Sequence, residues 1–230
     1  MQMLWNANAQ NKKFVASYSG GKDSSLALFK AMQMGEAVGL IVMLEEQGLK
    51  SRSHGMSLEI IHAQADAIGL PILTACATWQ SYEAQFIELL NQQKTLGAEV
   101  LVTGDIDLLG HAEWNQSVCD KSQLKLCMPL WQKPRLDIIH EFINLGFQSI
   151  IVTVNLDLGM KVEDLGRVLT TQYVEELCTR GIDPCGEAGE FHTTVIDGPI
   201  FKKALSIRKG DILYHNNYAF LPLTLEHHEI

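Results

Sequence analysis

The chain has 230 residues, 47% of them hydrophobic and 20% charged, with a formal net charge of −9 at pH 7. That size allows one large domain or two small ones, and the acidic balance argues against a general nucleic-acid binder, which carries a basic excess. The first residues, Met1-Gln2-Met3-Leu4-Trp5-Asn6, lack the basic and apolar regions of a secretory signal, and no apolar run approaches the ~20 residues of a membrane span.

In chain order, Phe14–Tyr18 reads as a buried strand that runs into Ser19-Gly20-Gly21-Lys22-Asp23-Ser24, and Ser24–Met34 as a helix stopped by Gly35. Such a strand–glycine–helix turn aims backbone N–H groups and the positive end of a helix dipole at an anion. Two glycines let backbone approach a phosphate, Lys22 supplies a cation and Asp23 a carboxylate for a metal. A Walker A loop is excluded, because Ala16 stands where its first glycine belongs and Asp23 where Ser or Thr follows the lysine. The dinucleotide fingerprint fails as well, since Gly20 and Gly21 are adjacent.

Ala37–Leu44 is a second, nearly all-apolar strand, as suits a parallel strand buried on both faces. A polar loop, Glu45–Ser53, leads to His54 and then to a helix over Ser57–Ile68 with Ile60, Ile61, Ala65 and Ile68 on one stripe. Pro71–Cys76 is the third strand and Ser81–Leu96 the next helix. Val100–Val102, a fourth strand, runs straight into Gly104-Asp105. This alternation predicts an α/β fold with a parallel sheet, right-handed crossovers and a ligand at the carboxyl ends of the strands, where both glycine turns fall.

The second half reads as a helix over Leu136–Leu145, a strand over Ser149–Val154, a longer helix over Val162–Cys178, and strand-like chain after Gly181. Pro134 marks the boundary between an α/β part with the glycine turn, residues 1–134, and a smaller α+β part, residues 135–230. Cys185-Gly186-Glu187-Ala188-Gly189-Glu190-Phe191-His192-Thr193-Thr194 gathers two glycines, two carboxylates and an imidazole. It reads either as a tight loop with groups for binding or proton transfer or as a solvated turn before a strand. Trp79, Trp114 and Trp131 read as core or interface anchors. The five cysteines are odd in number and form no C-x-x-C pair, so reduced thiols and a cytoplasmic location are expected.

The Ser19–Ser24 signature resembles the pyrophosphate loop of the N-type ATP pyrophosphatases. Taken with Gly104-Asp105-Ile106, Pro129-Leu130-Trp131, Gly181-Ile182-Asp183-Pro184-Cys185-Gly186-Glu187, Gly189-Glu190-Phe191-His192-Thr193 and Asp197-Gly198-Pro199, the chain resembles the diphthine–ammonia ligase family from about residue 13 to about residue 205. The resemblance implies an adenine-nucleotide α-hydrolase-like (HUP), ATP-binding domain over residues 1–134 and a smaller substrate-binding domain over residues 135–230. It implies a reaction in which ATP and Mg²⁺ activate a carboxylate as an acyl-adenylate, pyrophosphate leaves, and ammonia attacks to give an amide and AMP.

By position, Ser19, Gly20, Gly21, Lys22, Asp23 and Ser24 hold the departing phosphates. Met43 and His54 border the adenine, Gly104 and Asp105 approach the ribose or α-phosphate, and Asp23 and Asp105 hold Mg²⁺. Glu187, Glu190 and His192 serve the acceptor and ammonia. His192 stands where the ligases carry a carboxylate, and His111-Ala112-Glu113-Trp114-Asn115 follows where they carry an Arg–Glu pair. The implied partners are ammonia and a small-molecule or protein-borne carboxylate, without membrane or nucleic acid; a homodimer is compatible. Two alternatives remain: a tRNA-modifying adenylase, for which Cys119 and Cys185 are the candidate thiols, and a non-catalytic adenine-nucleotide sensor.

Overall fold

The structure, a computed structural model, describes residues 5–52 and 55–226. Its elements in chain order are β1 (Lys13–Ser17), α1 (Lys22–Met32), β2 (Glu36–Leu44), α2 (Leu58–Ile68), β3 (Ile72–Cys76), α3 (Tyr82–Thr95), β4 (Val100–Val102), α4 (Leu109–Ser122), β5 (Lys125–Cys127), α5 (Arg135–Asn144), β6 (Gln148–Asn155), α6 (Thr171–Thr179), β7 (Phe191–Asp197), β8 (Ile207–Lys209), β9 (Leu213–His215), β10 (Tyr218–Phe220) and β11 (Leu223–Leu225). The chain divides into two compact units. One holds residues up to Ser19, Asp23–Gly55 and Gly69–Lys133; the other holds Gly20–Lys22, Met56–Ile68 and Pro134 onward.

The first unit is built on a five-stranded sheet ordered β3-β2-β1-β4-β5, every pair parallel. β1 is central: Ala16 sits opposite Leu40 on one side and Val102 on the other. The order reverses at β1, which makes its carboxyl end the crevice where such sheets take ligands. Val15, Ile41 and Leu101 from three neighbouring strands are buried in one cluster with Phe86, Leu89 and Leu90 of α3 and Val118 of α4. Each such side chain contributes about 1.5–3 kcal/mol when fully buried. That burial is why the strands read as unbroken apolar runs. Trp131 lies in the same cluster, its ring 5.4 Å from Trp5 at 79°, the anchoring role its sequence context suggests.

The second unit carries a four-stranded sheet ordered β7-β6-β10-β9, antiparallel throughout, and a two-stranded β8–β11 ladder. Ile138, Ile139 and Phe142 are the buried face of α5, and Phe142 stacks on Phe147 at 4.8 Å. The long helix expected over Val162–Cys178 is not one helix. A 3-10 turn at Val162–Asp164 ends, Gly166 takes φ +77°, Val168 bridges to Ile150, and α6 starts only at Thr171. Thr170 caps it, its hydroxyl accepting the Tyr173 N–H at 3.2 Å. The left-handed glycine and the Thr cap outweigh the helical spacing of the apolar residues.

Candidate functional site

The loop Ser19–Ser24 connects β1 to the first turn of α1, so the positive end of the α1 dipole is at the loop. Ser19 Oγ donates to Ser24 Oγ at 3.1 Å, closing the loop on itself. Tyr18, 1% exposed, sits beneath with its hydroxyl 3.2 Å from Ser25 Oγ, and burial pushes its phenol above the usual range. Gly104, at the end of β4, comes so close that a Cβ there would lie 2.8 Å from Asp23 C and Ser24 N. Backbone cannot yield as a side chain can, so glycine is required at this position.

Asp105 follows directly. Its Oδ1 lies 3.1 Å from His111 Nδ1 and its Oδ2 accepts Asn115 Nδ2–H at 2.8 Å. Burial alone pushes this carboxyl up. The hydrogen bonds from His111 and its other polar neighbours outweigh burial and hold it below the usual carboxylate range. Asp105 is therefore an oriented, ionised carboxylate.

In the second unit, Gly20 and Lys22 are tied to β7 and α2. The Gly20 carbonyl accepts Val195 N–H at 3.0 Å and Gln64 Nε2–H at 3.0 Å, and Gln64 also donates to Val195 O at 2.7 Å. Gly20 has φ +79°, and a Cβ there would lie 2.3 Å from Gln64 Oε1. The Lys22 N–H donates to Thr193 Oγ1 at 3.1 Å, and Lys22 Nζ stands 5.7 Å from the centre of the Phe191 ring. His192, between those two, has its pKa lowered to about 4 by burial and by the Lys22 charge. It is a neutral imidazole at pH 7, a hydrogen-bonding group rather than a cation or a strong base.

The loop before β7 is organised by Asp183. Its carboxylate accepts the N–H groups of Cys185 and Glu187, each at 3.0 Å, and pairs with Arg135 at the start of α5. Glu190, 8% exposed, accepts the Ala188 N–H through Oε2 at 3.0 Å. Cys185 is buried and donates to Arg135 O at 3.2 Å. Cys119 is fully buried and its thiol is pushed up to about 12, so it is no poised thiolate.

Of the residues picked out by sequence, Ser19, Asp23, Ser24, Gly104 and Asp105 are brought together in the first unit. Gly20, Lys22, Glu187, Glu190 and His192 lie in the second. Met43 is 6% exposed inside the hydrophobic cluster under α3. His54 lies outside the described residues. Trp79, expected in a core or interface, is instead 77% exposed. Sequence reading missed Gln64, whose signal was a polar residue on the apolar stripe of α2. It also missed Arg135 and gave no role to Asp183 of the Gly181–Glu187 motif; the two pair across 48 residues.

The parallel sheet with a glycine turn opening α1 defines an α/β protein of the phosphate-binding kind. Residues 12–126 match the diphthamide synthase N-terminal domain and residues 134–227 the diphthamide synthase C-terminal domain. The chain belongs to the diphthamide synthase family.

A diphthine–ammonia ligase from Danio rerio is 24% identical over 240 residues, covering 92% of each chain. One from Schizosaccharomyces pombe is 25% identical over 231 residues, covering 89% of this chain but 38% of its own. The human ligase is 32% identical over 112 residues, 47% of this chain and 42% of its own. The matched stretches span 38% of the fission yeast protein's length and 42% of the human protein's. A crystal structure from Methanocaldococcus jannaschii, described as a predicted subunit of tRNA methyltransferase, aligns over 84% of this chain at 15% identity with a TM-score of 0.43. That likeness is too low to bear on function.

Proposed function

We propose that the protein is an ATP-dependent amide-forming ligase of the diphthine–ammonia ligase type. It adenylates a carboxylate, releases pyrophosphate, and passes the activated acyl group to ammonia. The observation that carries this reading is the loop Ser19–Ser24: in the first unit Ser19 bonded to Ser24 at the start of α1 with Gly104 packed against it, and in the second the buried Lys22 bonded to Thr193.

Lys22 stabilises the charge that builds on the leaving pyrophosphate, and the start of α1 adds its dipole. Ser24, whose hydroxyl oxygen accepts from Ser19, donates to a phosphate oxygen, and Ser19 does so once its own hydroxyl turns from Ser24 to the ligand. Among the described residues no cluster of three or more His, Cys, Asp or Glu could hold a metal ion by itself. This fits Mg²⁺, which is bound by one or two carboxylates together with substrate phosphates. Each Asp105 oxygen engaged by His111 or Asn115 keeps a second lone pair. Asp23 and Asp105 would hold the ion, which supplies charge neutralisation on the phosphates.

Glu187 and Glu190 orient the acceptor and ammonium, with Glu190 fixed by the Ala188 N–H. His192, neutral, offers a hydrogen bond to the acceptor without adding charge beside Lys22. The test is Asp23→Ala, assayed with ATP, Mg²⁺, ammonium and carboxylate acceptors including elongation factor 2 carrying diphthine. AMP formation should disappear while far-UV circular dichroism stays unchanged; retained AMP formation would remove Asp23 from the machinery.

A further inference from the structure

Trp79 begins an aromatic ridge in the first unit. Its ring lies 6.0 Å from Tyr82, and Tyr82 lies 6.2 Å from Phe86 and 5.6 Å from Trp114. The ridge rises from the hydrophobic cluster that contains Phe86 and Met43, and ends in an indole that is 77% exposed. A singly exposed apolar side chain is ordinary; what sets Trp79 apart is the charged group held against its ring.

One face of that indole is already taken. The Arg52 guanidinium sits 4.8 Å from the ring centre, and its side chain is 11% exposed. Arg52 is itself held in place: Nη2 donates to Ala77 O, its backbone N–H donates to Met43 O at 3.0 Å, and Glu46 is 3.9 Å away. The position of the indole is thus set before any ligand arrives, which lowers the ordering cost of binding.

We propose that Trp79, backed by Arg52, is a stacking platform for a nucleobase, resting on the reading of the Ser19–Ser24 loop as an ATP site. Two observations favour a planar uncharged ring over other occupants. Arg52 occupies the cation position on the indole, so a second cation meets like-charge repulsion, whereas a planar neutral ring gains from both groups. The platform also stands just past the carboxyl end of β3, in the sheet whose order runs β3-β2-β1. At ~4.8 Å between strands, β3 lies roughly 10 Å from the β1 end where the phosphate loop begins, comparable to the span from phosphates to base in an extended nucleotide. Met43, the residue that position along β2 suggested for the base, is buried beneath this ridge.

The experiment is isothermal titration of wild type, Trp79→Ala and Trp79→Phe with ATP and, separately, with inorganic tripolyphosphate. Trp79→Ala should weaken ATP by about 5- to 150-fold, the factor for losing a stacked base. Tripolyphosphate affinity should stay within about 2-fold, and Trp79→Phe should recover most of the loss. Unchanged ATP affinity in Trp79→Ala overturns the platform and leaves the loop reading intact. Equal losses for ATP and tripolyphosphate also overturn it, because the effect then lies at the phosphates. If wild type binds neither, the ATP reading fails and the platform fails with it.

Discussion

Thr193 Oγ1 accepts the backbone N–H of Lys22 at 3.1 Å, joining residues 171 apart in sequence. Lys22 and the Gly189–Thr193 segment therefore meet through a hydrogen bond from a backbone N–H to a side-chain hydroxyl, and β7 sets the position of the lysine. Thr193→Val keeps the shape and removes the acceptor in a buried setting, which costs roughly 1–3 kcal/mol. Thermal denaturation should show Tm lowered by roughly 2–4 °C per kcal/mol, with Thr193→Ser restoring it. A valine variant as stable as wild type would mean that the bond contributes nothing.

Gly104 illustrates a requirement of close approach rather than of unusual dihedrals. A methyl group there meets the Asp23 carbonyl carbon and Ser24 nitrogen at 2.8 Å, and such overpacking costs roughly 1–3 kcal/mol. Gly104→Ala should also displace the start of α1 and weaken ATP binding measured by calorimetry. Stability and ATP affinity both matching wild type would show that the two segments can separate without consequence.

His192 makes stability depend on pH. The folded chain holds its pKa at about 4 against an ordinary 6.5, so the unfolded chain binds the proton more readily. The contribution is complete above pH 6.5, is lost progressively as pH falls towards 4, and reaches at most about 3 kcal/mol. Urea denaturation between pH 4 and 7 should show a shallower acid loss in His192→Gln than in wild type. Parallel curves would contradict the depressed pKa. Polyphosphate beside Lys22 offsets that lysine's charge, so ATP should raise the His192 pKa when it is followed by NMR.

Asp183 joins Arg135 to the N–H groups of Cys185 and Glu187. Asp183→Ala should destabilise the second unit by roughly 2–3 kcal/mol, since charge-assisted hydrogen bonds are the strong ones. Amide hydrogen exchange should accelerate at Cys185 and Glu187 in particular. Unaltered exchange at those two amides would remove Asp183 from the loop's support.

Much of this was legible because apolar runs and glycine turns act locally. Phe14–Tyr18, Ala37–Leu44 and the turn between them are nearly the observed β1, β2 and loop, since burial on both faces leaves no polar positions to obscure a parallel strand. Short β5 and the polar-faced α4 escaped notice: three residues carry no periodicity, and α4 buries only Ala112, Asn115, Val118, Cys119 and Ser122. The grouping of α2 with the second unit depends on contacts such as Gln64 to Gly20 and Val195, and on Lys202 N–H to Ala67 O at 2.7 Å. No local pattern encodes those. Trp79 misled because tryptophans are highly buried on average, and its contact with Arg52 pairs residues that no local pattern links.

The most direct measurement is the phosphate product formed from ATP by the wild-type protein with Mg²⁺, ammonium and a panel of carboxylate acceptors. The loop Ser19–Ser24 predicts AMP and pyrophosphate in equal amounts, dependent on an acceptor. ADP and inorganic phosphate would place the cleavage at the wrong bond and contradict the ligase reading.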